Sequence, residues 1–236
     1  MRAAHTAGIV AALIEHEVWF PYVCGLSAGS SNAVNYIARD PERTRMCFVD
    51  IAEDPRFGGI GSLMHHDGFF NSRWLYDEAI RDGSLPMDWE TFSANPTKLR
   101  IQSFERDTGR TVTWTREDMT SPVTMARLVR ASSTMPFVMN PIEVGGQVML
   151  DGGLGTGAGI PLHMAEEDGF ERFFFVGTRP AGYRKTPMGR GKRGLMHRLC
   201  AGQPYLYEAL AMRAERYNAA LDHLDELERA GRAPVV

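Results

Sequence analysis

The chain has 236 residues and a formal net charge of −3, and 44% of its residues are hydrophobic. This length suits one α/β domain with a sizeable core, or two small domains. The small net charge gives no general attraction to nucleic acid. No apolar run approaches the roughly 18 residues of a membrane-spanning helix, and we interpret residues 2–17 as an amphipathic helix, not a signal peptide.

The three cysteines, Cys24, Cys47 and Cys200, have no CxxC spacing. Free thiols in a reducing compartment explain them better than disulfides or metal ligation. We therefore expect a cytoplasmic protein.

The first part of the chain alternates predicted helices and short strands. Residues 19–25 are aromatic and β-branched and predict a strand that ends at a glycine. Residues 28–38 predict a helix, and 45–50 predict a second short buried strand. Residues 57–70 are rich in glycine and predict a loop.

The middle of the chain predicts one helix from 71 to 83, with Asn71 as its N-cap, and another from 122 to 134. Two hairpins are predicted from alternating apolar patterns, one at 98–116 and one at 142–153.

The last third predicts a buried strand at 172–179, a flexible basic loop at 182–194 and a long helix at 205–229. Short strands that alternate with helices indicate an α/β fold with a mostly parallel sheet and helices on both faces. The two hairpins add antiparallel parts to that sheet.

Ser27 lies between two glycines in the segment Gly25-Leu26-Ser27-Ala28-Gly29, after a predicted strand and before a predicted helix. A serine hydroxyl is a poor nucleophile unless a base takes its proton and nearby donors stabilise the oxyanion. Small neighbours allow a sharp turn that exposes the hydroxyl, and the following helix directs its positive end toward it. The segment favours a nucleophilic serine over an ordinary structural turn.

Asp151 is the best candidate for the partner of Ser27, because it ends a predicted strand and precedes Gly152 and Gly153. A carboxylate at a strand end can meet a serine on the turn of a neighbouring strand, at the edge where α/β sheets bind ligands. A Ser–Asp dyad would then suffice, although an ordinary turn also explains Asp-Gly-Gly. No later histidine has a catalytic context, and His65-His66-Asp67 lacks the spacing of a metal site.

The order of these motifs resembles the patatin-like phospholipases, in particular their bacterial branch. The similar segments are the helix, strand and serine motif of 5–40, the hairpin region of 95–112 and the segment RASSTMPFVMNPIEVGGQVMLDGG at 130–153. The segments GTRPAGYRK (177–185) and RAERYNAALDHLDELERAGRA (213–233) resemble the tail of that branch.

The resemblance implies a three-layer patatin-like fold and hydrolysis of lipid acyl esters through an acyl-enzyme. It implies no metal and no organic cofactor, and it makes lipid or phospholipid the partner. The site residues that it implies are the nucleophile Ser27 with its partner Asp151, the elbow and oxyanion residues Gly25, Ala28, Gly29 and Arg2, and the turn residues Gly152 and Gly153.

The chain departs from the family pattern in two places. The family begins with a buried strand and a Gly-Gly-Gly-x-Arg-Gly loop whose amides form the oxyanion hole, whereas here Met1 and Arg2 align with the end of that loop and Ala3 replaces its last glycine. We expect either a translation start upstream or a weak or inactive enzyme, and we favour the first. The link 151–161 is also longer than usual, which puts the geometry beside Asp151 in question.

Other interpretations remain open at this stage. The chain is expected to form a single patatin-like domain over 1–236, with a catalytic core at 1–181, a basic loop at 182–203 and a helical tail at 204–236. A catalytically impaired lipid-binding or regulatory domain is the main alternative.

Two further features carry weaker hypotheses. The glycines of 153–158 form a loose dinucleotide fingerprint, with Arg179 available for a 2′-phosphate, which would suit an oxidoreductase. The basic loop, with Arg184, Lys185, Arg190, Lys192 and Arg193, could contact lipid phosphate or the inner face of a membrane, or could be solvated. The sequence does not indicate an oligomeric state.

Overall fold

The computed structural model describes residues 3–59, 62 and 68–233. Within them a five-stranded mixed sheet is formed by β1 (Tyr22–Leu26), β2 (Lys98–Glu105), β3 (Thr111–Thr115), β4 (Ile142–Val144) and β5 (Gln147–Asp151). The helices are α1 (Ala3–Glu15), α2 (Ala28–Ile37), α3 (Pro41–Phe48), α4 (Ala79–Arg81), α5 (Trp89–Ala94), α6 (Pro122–Ser133), α7 (Leu162–Glu167), α8 (Arg190–Leu199) and α9 (Pro204–Arg229).

Strand β2 is the centre of the sheet, because β1, β3 and β5 all pair with it. β1 runs parallel to β2 and ends with Leu26 opposite Gln102, whereas β5 runs antiparallel and ends with Asp151 opposite Ser103. β3 pairs with residues of β2 that also pair with β1 or with β5. It therefore lies on the opposite edge of β2 from those two strands. The carboxyl ends of β1 and β5 consequently approach each other end to end along one edge of β2.

Helices cover both faces of β2, as expected for a three-layer α/β fold, since alternate strand residues point to opposite faces. Leu99 and Ile101 pack with α1, α2, α5 and α6 in one core cluster. Phe104 points to the other face, where it packs with Leu206 and Ala209 of α9.

Most of the predicted elements are confirmed. The structure has the helices that correspond to 2–17, 28–38, 122–134 and 205–229, within a few residues at their ends, and both hairpins. The predicted helix from 71 is capped by the Asn71 side chain, but it contains a π-helical turn at Trp74–Glu78 before α4.

The predicted strand at 45–50 is wrong, because that segment belongs mainly to α3. Asp40 accepts a hydrogen bond at 2.7 Å from the backbone N–H of Arg43, and Pro41 occupies the first helical turn. This N-cap and the proline start a helix, which outweighs the apolar character of the later residues. The predicted loop at 57–70 lies partly outside the described residues.

The predicted strand at 172–179 is also wrong, since the structure has no strand there and Phe175 is the single bridge residue of the segment. It faces β1 across a cavity of about 790 Å³ that both segments line. Among the described residues no ladder joins the two, and a strand requires backbone partners. Phe173 and Phe175 instead pack against a buried cluster that includes Tyr217 and Leu224 of α9.

The sheet is mixed, so the expectation of a mostly parallel sheet was wrong for the described strands. β1 and β2 form the parallel pair, and the two hairpins supply antiparallel partners. The basic loop is partly helical, because α8 begins at Arg190 within the segment that was predicted to be a loop.

Candidate active site

Ser27 occupies a strained turn between β1 and α2. Its backbone has φ 53° and ψ −131°, a conformation that non-glycine residues rarely adopt and that costs about 1–3 kcal/mol. The surrounding structure holds this turn: the Ser27 N–H donates to Ser132 Oγ at 3.0 Å, and Ser30 donates through both its N–H and its hydroxyl to the Ser27 carbonyl. The turn directs the Ser27 hydroxyl away from the strand.

Gly25 makes this turn possible because it has no side chain at a point where two parts of the backbone are in close contact. A Cβ at this position would lie 2.2 Å from the Gly29 carbonyl oxygen, which belongs to the first turn of α2. Gly29 itself has open space where a Cβ would project. The two glycines of the motif therefore have different structural roles.

Asp151 is the direct partner of Ser27. The Ser27 hydroxyl donates to Asp151 Oδ2 at 2.5 Å, and the Gly153 N–H donates to Asp151 Oδ1 at 2.7 Å. The Asp151 side chain is buried, and its backbone N–H donates to the Thr134 carbonyl at 2.7 Å. Both carboxylate oxygens are thus held in fixed directions, one of them toward the serine.

Burial raises the pKa of Asp151, because removal from water disfavours the charged carboxylate. Hydrogen bonds from Ser27 and Gly153 act in the opposite direction, as do the positive charges of Arg213 and Lys185. The resulting pKa lies above that of an ordinary aspartate, which brings the group nearer to the pKa that suits a general base.

Gln102 and Ser132 form a hydrogen-bonded frame beneath this pair. Gln102 Nε2 donates to the carbonyls of Gly152 and Thr156, and Ser132 Oγ donates to the Gln102 carbonyl at 2.7 Å. Sequence reasoning assigned no role to either residue. Ser132 lies in the segment that carried the family resemblance, whereas nothing local in the sequence marks Gln102.

Gly152 and Gly153 are required by close packing at the end of β5. A Cβ on Gly152 would lie 2.2 Å from the Gln102 carbonyl oxygen, and one on Gly153 would lie 2.8 Å from Asp151 Oδ1. The glycines that were predicted to flank Asp151 therefore permit its contact with Ser27. The longer link that follows does not disturb this contact.

Ala28 and Gly29 begin α2, and the first N–H groups of a helix have no intrahelical partner. Their N–H groups lie directly after Ser27 in the chain. Arg2, the remaining predicted oxyanion residue, lies outside the described residues. His65, His66 and Asp67 do so as well.

The described histidines do not line the pocket that contains Ser27. His163 Nε2 lies 2.7 Å from Gln102 Oε1, and His223 pairs with Glu166 at 2.6 Å.

The dinucleotide hypothesis does not hold, because β5 is antiparallel to its neighbours and leads into 3₁₀ turns at Gly152–Leu154 and Thr156–Gly159. A Rossmann unit needs parallel strands joined by a helix.

A pocket of about 740 Å³ opens beside Ser27 and Asp151. Its apolar lining consists largely of flexible or branched side chains, which suit an adaptable acyl site: Met135, Phe137, Val138, Met188, Met196 and Leu210. Met135 lines the pocket, whereas Met149 is buried in the core.

The fold and site together define an α/β protein with a serine on a strand–helix turn and a buried carboxylate beside it. The chain belongs to the patatin-like phospholipase family, whose model matches residues 1–165. This is a family of lipid acyl hydrolases. A comparison with curated proteins gave no match, and none of the helices among the described residues is long and apolar enough to cross a membrane.

Replacement of Gly25 by alanine should destabilise the protein by about 1–3 kcal/mol or more, because the new methyl group overlaps the backbone of Gly29. Gly29→Ala is the matched control, and we expect it to be neutral or to stabilise α2 by about 0.5–1 kcal/mol. Urea unfolding of both variants measures the difference. Equal stability of the two variants would contradict the role given to Gly25.

Proposed function

We propose that this chain hydrolyses acyl esters of lipids, with Ser27 as the nucleophile and Asp151 as its general base. The observation that carries this proposal is the 2.5 Å hydrogen bond from Ser27 Oγ to Asp151 Oδ2. It joins a serine in a strained turn to a buried carboxylate, next to a pocket that has both apolar and charged side chains in its lining.

In the first half of the reaction, Ser27 Oγ attacks the ester carbonyl carbon and transfers its proton to Asp151. The N–H of Ala28 stabilises the resulting oxyanion, with support from the N-terminus of α2. The tetrahedral intermediate collapses, the bond to the alcohol breaks, and the leaving oxygen takes the proton from Asp151. An acyl-enzyme on Ser27 remains.

In the second half, a water molecule attacks the acyl carbon while Asp151 accepts its proton. Collapse of this intermediate releases the fatty acid, and the proton returns to Ser27 Oγ. No cofactor is needed for this sequence. The apolar side chains of the pocket supply the surface that an acyl chain would contact.

We also propose that residues 1–236 act as a single domain. Leu206 and Ala209 of α9 share a core cluster with Phe104 and Leu150 of the sheet. The helical tail therefore contributes to the same core as the matched segment, which favours one folding unit. The cytoplasmic location expected from the cysteines stays a prediction.

Helix α8 supports a further proposal, that the protein contacts a membrane surface. It exposes Leu195 and Leu199, which retain 55% and 53% of their accessible surface, and Phe137 beside the pocket retains 56%. Basic residues such as Arg193 and Arg198 occupy the same helix. A basic amphipathic helix with exposed leucines is typical of interfacial binding.

Ser27→Ala should abolish ester hydrolysis, and Asp151→Asn should lower kcat by about 10²–10⁴-fold, because each removes one half of the proton-transfer pair. Turnover of a soluble short-chain ester measures both effects. Ser93→Ala and Asp222→Asn are controls at exposed positions and should retain wild-type rates. A near-normal rate for Ser27→Ala would eliminate this site.

The pH profile of kcat/KM should reflect the raised pKa of Asp151. The base must be ionised, so activity is present above this pKa and is lost as the pH falls through it. We expect the acidic limb to lie above the value of about 4 of an ordinary aspartate. Circular dichroism over the same pH range separates this loss from unfolding. A limb at or below pH 4 in the folded protein would contradict the assignment.

Leu195→Asp combined with Leu199→Asp should weaken binding to vesicles of phosphatidylcholine and phosphatidylglycerol at least about 10-fold, since two leucines lose their apolar contact with lipid. Val49→Asp, at another exposed apolar position, is the control. Co-sedimentation in the Ser27→Ala background avoids hydrolysis of the vesicles. Unchanged binding would exclude α8 as the contact.

A further inference from the structure

The pocket beside Ser27 carries an excess of positive charge. Lys185, Lys192 and Arg213 line it, and Asp151 is the only carboxylate among the described residues in its lining. The three cations lie beyond residue 165, where the family match ends. The match to the family therefore assigns no role to these three residues.

Arg213 lies on α9 beside the turn that follows Asp151. One of its terminal guanidinium nitrogens lies 3.2 Å from the position that a Cβ on Gly153 would occupy. Its Nε is buried without a hydrogen-bond partner, and within the described part of the chain the Arg213 side chain makes no hydrogen bond or ion pair. A buried guanidinium N–H without an acceptor is unfavourable, and an anionic oxygen is the acceptor that suits it.

Two other arginines of this chain, unlike Arg213, have a carboxylate partner. Arg130, which is also largely buried, pairs with Asp77 at 2.6 Å. Arg216 lies three residues after Arg213 on the same helix and pairs with Glu208 at 3.0 Å. Arg213 is left with its charge directed into the pocket, and Asp151 is the carboxylate whose pKa it affects.

Lys185 is held in place from several sides. Its backbone N–H donates to Asn218 Oδ1 at 2.8 Å, and its carbonyl accepts from Asn218 Nδ2 at 3.0 Å. Its ammonium group donates to the Ala158 carbonyl at 3.1 Å and lies 3.6 Å from the centre of the Tyr217 ring. These contacts fix the direction of the side chain but supply no negative charge.

Burial lowers the pKa of Lys185 to about 7, and repulsion from Arg213 and Arg179 adds to this effect. A bound oxyanion would offset both the loss of hydration and the repulsion from the arginines, and it would therefore favour the charged ammonium group.

Other members of the predicted basic loop do not share this placement. Arg184 pairs with Asp222 at 3.0 Å and with Asp225 at 2.6 Å on the surface of α9. Arg190 and Arg193 are exposed and do not line the pocket.

We propose that Arg213 and Lys185 bind the phosphate group of a phospholipid whose acyl ester lies at Ser27. The planar guanidinium can hold two phosphate oxygens at once, and the ammonium group adds a third contact. Lys192 lies at the exposed side of the same pocket, and its positive charge adds long-range attraction for the phosphate group. This inference rests on the proposed function of Ser27, and it makes anionic lipids the preferred substrates.

Binding to the inactive Ser27→Ala variant tests the inference without turnover. Dihexanoyl phosphatidic acid and dihexanoylglycerol carry the same acyl chains and differ in the phosphate, and calorimetry below their aggregation limits gives Kd for each. We expect the phosphorylated lipid to bind about 10–100-fold more tightly. Equal affinity for the two lipids would overturn the proposal.

Substitutions in the same background identify the residues. Arg213→Gln and Lys185→Gln should each remove most of the preference for the phosphorylated lipid, whereas Arg213→Lys should retain part of it. Arg216→Gln, the matched control on α9, should keep the full preference. Circular dichroism confirms that each variant is folded. A preference that survives both Arg213→Gln and Lys185→Gln would overturn the assignment.

Inorganic phosphate and glycerol 3-phosphate distinguish the source of the phosphate. We expect both to bind more weakly than the phosphorylated lipid, since neither fills the apolar part of the pocket. If inorganic phosphate bound as tightly, the head-group assignment would be overturned. Because these experiments use a chain without the Ser27 hydroxyl, they remain informative even if Ser27 proves not to be the nucleophile.

Discussion

The candidate site depends on the register of two strands along β2. Leu26 at the end of β1 lies opposite Gln102, and Asp151 at the end of β5 lies opposite Ser103, the next residue. Because β1 and β5 run in opposite directions on the same edge of β2, Ser27 emerges beside the carboxylate. A slip of β5 by one residue would turn Asp151 to the other face of the sheet. The hydrogen bond between the two residues would then be lost.

The sequence predicted most elements, and it singled out Ser27 and Asp151, which the structure brings into hydrogen-bond contact. Ser27 was recognisable because a strand, small neighbours and a helix define a sharp turn within a short segment. Asp151 was recognisable because a hairpin ends there and glycines follow. Both signals lie within short segments of the sequence, so they can be recognised without knowledge of the fold. The mostly parallel sheet that was expected around them was nevertheless incorrect, since β5 pairs antiparallel with β2 and meets β1 end to end.

The remaining features depend on contacts between distant parts of the chain. The apolar segment 172–179 satisfies the pattern of a buried strand, but none of the strands among the described residues pairs with it. Arg213 has the sequence context of a surface residue on a helix. Its position beside Asp151 follows from packing of α9 against the sheet through Leu206 and Ala209. Local patterns do not encode such long-range placement.

Reaction of the chain with a fluorescent fluorophosphonate, followed by peptide mapping by mass spectrometry, tests the central claim most directly. The reagent reacts with serines that are activated for attack, and it needs no knowledge of the natural substrate. The account predicts a single adduct on Ser27, with none on the Ser27→Ala variant and slower labelling of Asp151→Asn. An adduct on a different residue, or equal labelling of the Ser27→Ala variant, would contradict it.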